Sequence, residues 1–158
     1  MKRPLGIRRP SRREAALLVQ ALGAILRVRL HLVRGRHHAL RRMIEAHRLP
    51  SDTPAEAPRA DLAEIAWSVR NAARLVPGAT CLTQASAGQL LLARRGHVST
   101  IRVSVPGNSE KPGTLAPHAW LISGQTIVLG GTVADYARHR PLHDFTLPGA
   151  LSADTPTT

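Results

Sequence analysis

Hydrophobic residues in the first half of the chain recur every three or four positions, which is the spacing of one face of an α-helix. Ser11 is positioned to cap a first helix, and a second helix is predicted from about His37 to Arg48. Gly35 would end or kink the first helix. The apolar positions that define these two faces are Leu18, Leu22, Ile25 and Leu26, followed by Leu40, Met43 and Ile44.

Two further helices are predicted on the other side of a proline-rich segment. Asp61 is the expected cap of the third, which ends before Pro77 because the residue before a proline disfavours helical backbone. Thr80 is the expected cap of the fourth, which runs to about Arg94 and ends at Gly96. Their inward faces contain Leu62, Ile65, Ala66, Val69 and Ala73, and then Leu82, Ala85, Gln89 and Leu92.

From Val98 onward the hydrophobic period changes to two, which is typical of β-strands. Strands are predicted over Val98 to Val105, Leu115 to Ile122 and Gln125 to Leu129, and a tight turn at Ser123-Gly124 would join the last two as a hairpin. The stretch after Gly131 is expected to be irregular. Helices followed by an antiparallel sheet indicate an α+β fold.

The basic residues are concentrated in the N-terminal third. The net charge is +12, of which residues 1–49 carry +11 and residues 50–158 carry +1. We therefore predict a basic helical extension over 1–49, a linker over 50–60, a catalytic core over 61–150 and a flexible tail over 151–158. A nucleic-acid-binding protein stays open as an alternative, because clustered basic residues are typical of that class.

Composition excludes several kinds of protein. The chain has one cysteine, so an internal disulfide framework or a cysteine-rich zinc module is not possible. It has one Phe, one Tyr and two Trp, which disfavours binding of bases by aromatic stacking. The uncharged stretch Ala15 to Leu26 is shorter than the ~20 residues that span a bilayer, and arginines follow it directly. We expect no transmembrane segment, no metal, no cofactor and a cytoplasmic protein.

The single thiol lies where a helix would favour its reactive form. Cys81 directly follows the expected cap Thr80, and helix N-termini combine partial positive charge with free backbone N–H groups. That setting favours a thiolate and can bind a developing oxyanion. His118 lies early in the second predicted strand, on the same face as Trp120. If that face packs on the Cys81 helix, His118 can act as the base and Trp120 can shield the pair from water.

Two motifs resemble one family. The segment Trp67-Ser68-Val69-Arg70-Asn71-Ala72-Ala73-Arg74-Leu75-Val76-Pro77-Gly78-Ala79-Thr80-Cys81-Leu82-Thr83-Gln84-Ala85, followed by His118-Ala119-Trp120-Leu121, resembles the lasso-peptide leader peptidases. These are transglutaminase-like cysteine peptidases. The resemblance implies a papain/transglutaminase-like fold, with Cys81 as nucleophile and His118 as base. It also implies that the substrate is a ribosomally made precursor peptide, cleaved between leader and core. Trp120 and Gln84, within the same motifs, are the candidate substrate-binding residues.

The third catalytic residue departs from the family pattern. The family usually has an acidic residue about a dozen positions after the histidine, and Leu129-Gly130-Gly131 occupy that place here. Asp135, the nearest downstream carboxylate, is the candidate. Gln125 or a backbone carbonyl are the alternatives, and an inactive relative is a further possibility because the expected acid is missing.

The resemblance also bears on partners. The chain is similar to the stand-alone protease form, which works with a separate leader-recognition protein, and a macrolactam synthetase uses the product. Residues 12–49 are expected to help dock the recognition protein or the leader. An acyltransferase with the same residues remains an alternative, since an amine can capture an acyl-enzyme in place of water.

Overall fold

Helices precede a small antiparallel sheet, which confirms the α+β class. The computed structural model describes residues 11–47, 57–107 and 117–147. Within these ranges the elements are α1 (Arg12–Val33), α2 (His37–Glu45), α3 (Arg59–Ala73), α4 (Cys81–Arg94), β1 (Ser99–Pro106), β2 (His118–Ser123), β3 (Thr126–Leu129), α5 (Val133–Ala137) and β4 (His139–Leu147). Four predictions concern positions outside the described residues: the end of the second helix at Arg48, residues 50–56 of the linker, the start of the second strand at Leu115 and the tail over 151–158.

The start of α1 is fixed by a reciprocal pair of hydrogen bonds. The Ser11 hydroxyl accepts from the backbone N–H of Glu14, and the Glu14 carboxylate accepts from the backbone N–H of Ser11 at 2.7 Å. Two of the N–H groups that a helix leaves without partners are thereby satisfied. Gly35 adopts a φ of +64° after the last residues of α1, so it ends the helix. Both predictions for this helix are confirmed.

The cap of α3 differs from the prediction. Pro58 is the N-cap residue, and Asp61 lies inside the first turn. The Asp61 carboxylate instead accepts from Nη1 of Arg95 at 2.9 Å and from Nε2 of His97 at 3.0 Å. Asp is common at helix caps, but the Asp61 carboxylate makes charge-assisted hydrogen bonds to the residues after α4. The hydrogen bond from His97, followed by the effect of Arg95, holds the pKa of Asp61 below its usual value against the opposing effect of burial.

α1, which belongs to the predicted basic helical extension over 1–49, packs into the core of the domain. Its Ala21, Ala24, Ile25 and Val28 are at most 1% exposed and pack with α3 and α4. Leu26, expected to face inward, is 51% exposed. By length and composition alone α1 could cross a membrane, since its 18-residue window reaches a mean hydropathy of 1.6. Its four buried residues, however, pack on two neighbouring helices.

α4 lies at the centre of the molecule. Ten of its residues are buried, namely Thr83 and residues 85–93. Gly88 allows the helix to approach the sheet closely, because a Cβ there would lie 2.5 Å from Cδ2 of Leu121 and 2.9 Å from Cδ1 of Leu129. The residue that begins this helix, Cys81, is therefore held by a rigid element.

The four strands form one antiparallel sheet in the order β3-β2-β1-β4. The stretch expected to be irregular contains α5 and β4. Hydrophobic and polar residues alternate only weakly in β4, because it is an edge strand interrupted by Pro141 and exposed along most of its length. Leu142 is 56% exposed and Phe145 is 44% exposed. A hydrophobic period cannot reveal a strand of which neither face is deeply buried.

The hairpin between β2 and β3 is shifted from the predicted register. The turn residues are Gly124 and Gln125, with Gly124 at a φ of +54°, so Ser123 pairs with Thr126. A bulge at Leu121/Ile122 then pairs Leu129 with Leu121, whereas the expected turn would have paired Leu129 with His118. This shift places Gly130 beside Trp120, inside β2 and not beyond its first residue.

Candidate active site

Cys81 is the first residue of α4, and the predicted cap is confirmed. The Thr80 hydroxyl accepts from the backbone N–H of Thr83, and the Thr80 backbone carbonyl accepts from the backbone N–H of Gln84. The N–H groups at the first two helical positions have no partner inside a helix, so those of Cys81 and Leu82 can serve an incoming oxyanion. The Cys81 thiol is half-buried.

The turn before Cys81 is supported by α1. Gly78 adopts a φ of +75°, which favours glycine. A Cβ at Gly78 would lie 3.1 Å from Nη2 of Arg29, so the guanidinium of Arg29 packs closely on this turn. α1 therefore contacts the segment that presents the thiol.

His118, the first residue of β2, has a fixed tautomer. Its Nε2 lies 2.8 Å from the carbonyl oxygen of Gly130. A carbonyl oxygen only accepts, so Nε2 carries the proton in the neutral ring and Nδ1 carries the lone pair. Nδ1 is therefore the nitrogen that can take a proton from a thiol.

Cys81 and His118 line one open cleft of about 430 Å³. The remaining lining residues come from α3, α4, the last residue of β3 and the segment that follows it: Arg70, Gln84, Leu129, Gly130, Gly131 and Thr132. Two residues that are distant in the sequence are thereby brought to one surface.

The face of β2 that packs on α4 is not the face expected from the sequence. Leu121 contacts α4 at Gly88, whereas Trp120 points to the opposite face of the sheet, where it packs against Tyr136. By strand alternation His118 shares the Trp120 face. His118 and Cys81 both reach the cleft because each is the first residue of its element. The face of β2 that contains His118 does not pack on α4.

Trp120 lies behind His118 and does not line the cleft. It is 1% exposed, and its Nε1 donates to Oγ of Ser104 at 2.7 Å. Its ring meets the His118 ring edge to face with centroids 4.6 Å apart. This burial leaves no surface for substrate, which corrects its assignment as a substrate-binding residue. Trp120 supports the imidazole.

Gln84, the other candidate substrate-binding residue, does line the cleft. Its Nε2 donates to the carbonyl of Ala79 at 3.0 Å, across the turn that precedes α4. This bond fixes the amide group and orients its carbonyl oxygen, which can accept a hydrogen bond from a peptide N–H.

Two glycines occupy the place where the resemblance to the leader peptidases predicts an acidic residue. Gly130 and Gly131 adopt φ values of +121° and +153°, which side chains rarely tolerate. A Cβ at Gly130 would lie 2.7 Å from Cε3 of Trp120. Glycine is required here because the backbone passes directly over the indole, and the group that this backbone offers to His118 is a carbonyl.

The structure does not bring Asp135 to the His118 ring. Its Oδ2 accepts from the backbone N–H of Thr132 at 3.2 Å and from the Thr132 hydroxyl at 2.6 Å, and these two bonds cap α5. Its Oδ1 accepts from the Arg138 guanidinium. The bond from the Thr132 hydroxyl is the main reason that the pKa of Asp135 is below its usual value. Gln125, an alternative, lies in the exposed β2–β3 turn. The backbone carbonyl, the other alternative, is the group that contacts His118.

Several site residues were missed by the sequence analysis. Arg70 lines the cleft, and the His139 ring lies 5.8 Å from that of His118 and 5.3 Å from that of Trp120. Tyr136 packs on Trp120 and accepts a hydrogen bond from Arg102. The pattern Thr132-x-x-Asp135 is a helix-start signature that could have revealed α5, and with it Tyr136 and His139.

An ion pair between Arg102 and Asp144 supports the face of the sheet on which Trp120 lies. Arg102 donates through Nε to Asp144 Oδ1 at 2.7 Å and through Nη2 to Oδ2. This two-point contact raises the pKa of Arg102 and lowers that of Asp144. It joins β1 to β4, which places His139 and Tyr136 over Trp120.

Comparison with known proteins gives one match. The sequence profile described as the transglutaminase-like superfamily matches residues 24–144, a range that begins inside α1 and ends inside β4. No curated protein and no solved structure matches the chain.

Proposed function

Since this chain belongs to the transglutaminase-like superfamily, whose members are commonly cysteine-dependent enzymes, we propose that it is a cysteine peptidase that removes the leader from a lasso-peptide precursor. The observation that carries the proposal is that Cys81, at a capped helix N-terminus, and His118, with its tautomer fixed by Gly130, line one cleft. Nucleophile, base and oxyanion donors are the groups that acyl transfer requires.

The first half of the reaction forms a thioester. Nδ1 of His118 accepts the proton of the Cys81 thiol, and the sulfur attacks the scissile carbonyl carbon. The backbone N–H groups of Cys81 and Leu82 can stabilise the oxyanion. The imidazolium then protonates the leaving amine as the C–N bond breaks, which frees the amine of the core peptide.

The second half restores the enzyme. His118 accepts a proton from water, whose oxygen attacks the thioester carbon, and the imidazolium returns a proton to the sulfur as the C–S bond breaks. The leader leaves as a carboxylic acid. Throughout, the Gly130 carbonyl accepts a hydrogen bond from Nε2–H of His118 and holds the orientation of the ring.

The precursor substrate is inferred from the motif around Cys81 and the His118-Ala119-Trp120-Leu121 segment. Leader removal would expose the amine that a macrolactam synthetase joins to an acidic side chain. We also propose that the enzyme acts in the cytoplasm with a separate leader-recognition protein. The exposed face of α1, which includes Val19, Leu26, Leu30 and Val33, supports such docking because these apolar side chains are 49 to 75% exposed.

An acyltransferase is the second candidate, and the same cleft supports it. If an amine in place of water captured the acyl-enzyme, two peptides would be joined. The mass of the product separates these outcomes, since hydrolysis adds one water across a bond and transfer does not. Nucleic-acid binding is a third candidate, supported by the exposed basic residues of α2, namely His37, His38, Arg41 and Arg42. A steep fall in duplex affinity with added salt would characterise that activity.

The test is cleavage of a precursor peptide encoded beside this protein, with and without the recognition protein, followed by mass spectrometry. Wild type should release a leader with a free carboxyl terminus. Cys81→Ala and His118→Ala should lose at least ~10³-fold in kcat while keeping the wild-type circular dichroism spectrum. Full cleavage by Cys81→Ala would exclude the mechanism. Tight duplex binding at physiological salt, together with inert wild type, would favour the nucleic-acid alternative.

A further inference from the structure

Arg70 places a guanidinium in the same cleft as Cys81 and His118. It lies in the last turn of α3, and its Nη2 donates to the carbonyl of Val128 on the edge strand β3 at 3.2 Å. That hydrogen bond joins a helix to a strand and holds the guanidinium at the rim of the cleft. It uses one of the five N–H donors of the side chain.

The charge of Arg70 is not neutralised by the protein. Across residues 11–47, 57–107 and 117–147, Arg70 forms no ion pair. The residues found to line the cleft include no Asp or Glu. The N–H donors of Arg70 that Val128 does not use are therefore available to a ligand in the cleft.

The surroundings add to the positive potential. The N-terminus of α4 contributes partial positive charge, and the Arg29 guanidinium packs on the Gly78 turn behind it. A carboxylate that entered the cleft would meet a planar fork of donors of opposite sign, which is the geometry that arginine binds best. Gln84, whose amide is fixed by Ala79, offers a neutral hydrogen-bonding partner beside it.

We propose that Arg70 is a specificity-determining residue that binds an Asp or Glu side chain of the peptide substrate, close to the scissile bond. The proposal rests on the peptidase function above, because it assumes that a peptide occupies the cleft. It does not involve Arg70 in bond making or breaking. Its loss should therefore change which peptide is cleaved rather than whether the thiol reacts.

The test uses internally quenched peptides based on the leader–core junction of the precursor. Members of the series differ only in carrying Asp, Asn or Lys at one position, scanned across the residues on each side of the bond. We expect wild type to prefer Asp to Asn at one position by about tenfold or more in kcat/KM, since a charge-assisted hydrogen bond is being gained. Arg70→Gln should remove that preference, and Arg70→Lys should restore part of it.

Two further variants separate a specificity role from a structural one. Arg74→Gln is the matched control, because Arg74 is exposed one turn further along and does not line the cleft; it should keep the wild-type preference. Arg70→Glu should reverse the preference, so that the Lys peptide becomes better than the Asp peptide. The proposal would be overturned if the ratio of kcat/KM for the Asp and Asn peptides were the same in wild type and Arg70→Gln. It would also be overturned if Arg70→Glu were slower than wild type but still preferred the Asp peptide.

Binding of the same peptides to Cys81→Ala, measured by fluorescence anisotropy, shows whether the peptidase function or the role of Arg70 is wrong. Cleavage by wild type without an acidic preference would leave the peptidase intact and remove the role of Arg70. An Arg70-dependent preference for the Asp peptide in binding, with no cleavage by wild type, would retain the carboxylate site and remove the peptidase. Binding that is equally strong for Asp and Asn peptides would count against the site in either case.

Discussion

The imidazole of His118 donates its Nε2 proton to the backbone carbonyl of Gly130 at 2.8 Å, so the third partner of the proposed catalytic pair is a main-chain group. A carbonyl stabilises an imidazolium less than a carboxylate does, because it carries only a partial charge. It can nevertheless fix the tautomer and the orientation of the ring. The position of this carbonyl depends on the close approach of Gly130 to Trp120.

Gly130→Ala should damage activity more than stability. The new Cβ would lie 2.7 Å from the Trp120 ring, and a φ of +121° is strained for alanine, so the carbonyl would move away from His118. We expect kcat to fall about 10- to 100-fold and unfolding to be easier by roughly 1–3 kcal/mol. Steady-state kinetics and urea unfolding measure the two effects. Gly35→Ala is the control, because its φ is also positive but no atom lies within 4 Å of the new Cβ; it should keep full activity.

Asp135→Asn should leave kcat nearly unchanged. The Asp135 carboxylate caps α5 and does not contact His118, and an amide oxygen can still accept from Thr132. The pH dependence of kcat should also stay as in wild type. A fall in kcat of about 10⁴-fold, the size seen when an acid that orients a catalytic histidine is replaced, would show instead that Asp135 reaches the histidine during the reaction.

Ser104→Ala should destabilise the protein, whereas Ser99→Ala should not. Oγ of Ser104 accepts from Nε1 of the buried Trp120, so its removal leaves a buried donor without a partner and costs about 1–3 kcal/mol. Oγ of Ser99 is also buried but has no hydrogen-bond partner among the described residues. Its removal should be neutral or stabilising. Urea unfolding followed by tryptophan fluorescence compares the two variants, and equal losses would refute the assignment.

Acidification should weaken the attachment of α3 to the end of α4. The pKa of Asp61 is lowered in the folded state, chiefly by the hydrogen bond from His97, so the carboxylate contributes stability above its unfolded pKa of about 3.9. That contribution is lost as the pH falls through the lower folded value. Asp61→Asn should be less stable than wild type at neutral pH, and the difference should shrink below about pH 4. Urea midpoints measured across this range test the sign.

Two glycines inside helices should respond oppositely to alanine. Gly23→Ala in α1 has nothing within 4 Å of the new Cβ and should stabilise the protein by about 0.5–1 kcal/mol through helix propensity. Gly88→Ala in α4 would place its Cβ 2.5 Å from Leu121, so α4 must shift from the sheet. We expect a net loss of roughly 1–3 kcal/mol together with reduced activity, because Cys81 is carried by the same helix. Thermal unfolding of both variants gives the comparison.

Local patterns were enough to predict much of the fold. The caps Ser11 and Thr80, the terminators Gly35 and Gly96, and the change of hydrophobic period at β1 are all determined by neighbouring residues, and each agrees with the structure. Asp61 was misassigned as a cap because its actual partners, Arg95 and His97, are distant in the sequence. α5 and β4 were missed because an exposed edge strand and a helix of five residues produce little hydrophobic periodicity.

By itself, the sequence determined the class of fold and the helix that begins at Cys81, because helix caps and strand period are local properties. Only the tertiary structure decided how His118 is held, since a bulge at Leu121/Ile122 and two glycines packed on Trp120 bring the Gly130 carbonyl to its ring. It also decided that Arg70 lines the cleft. A main-chain acceptor leaves no signature in side-chain identity, and the placement of an arginine depends on the packing of α3 against β3.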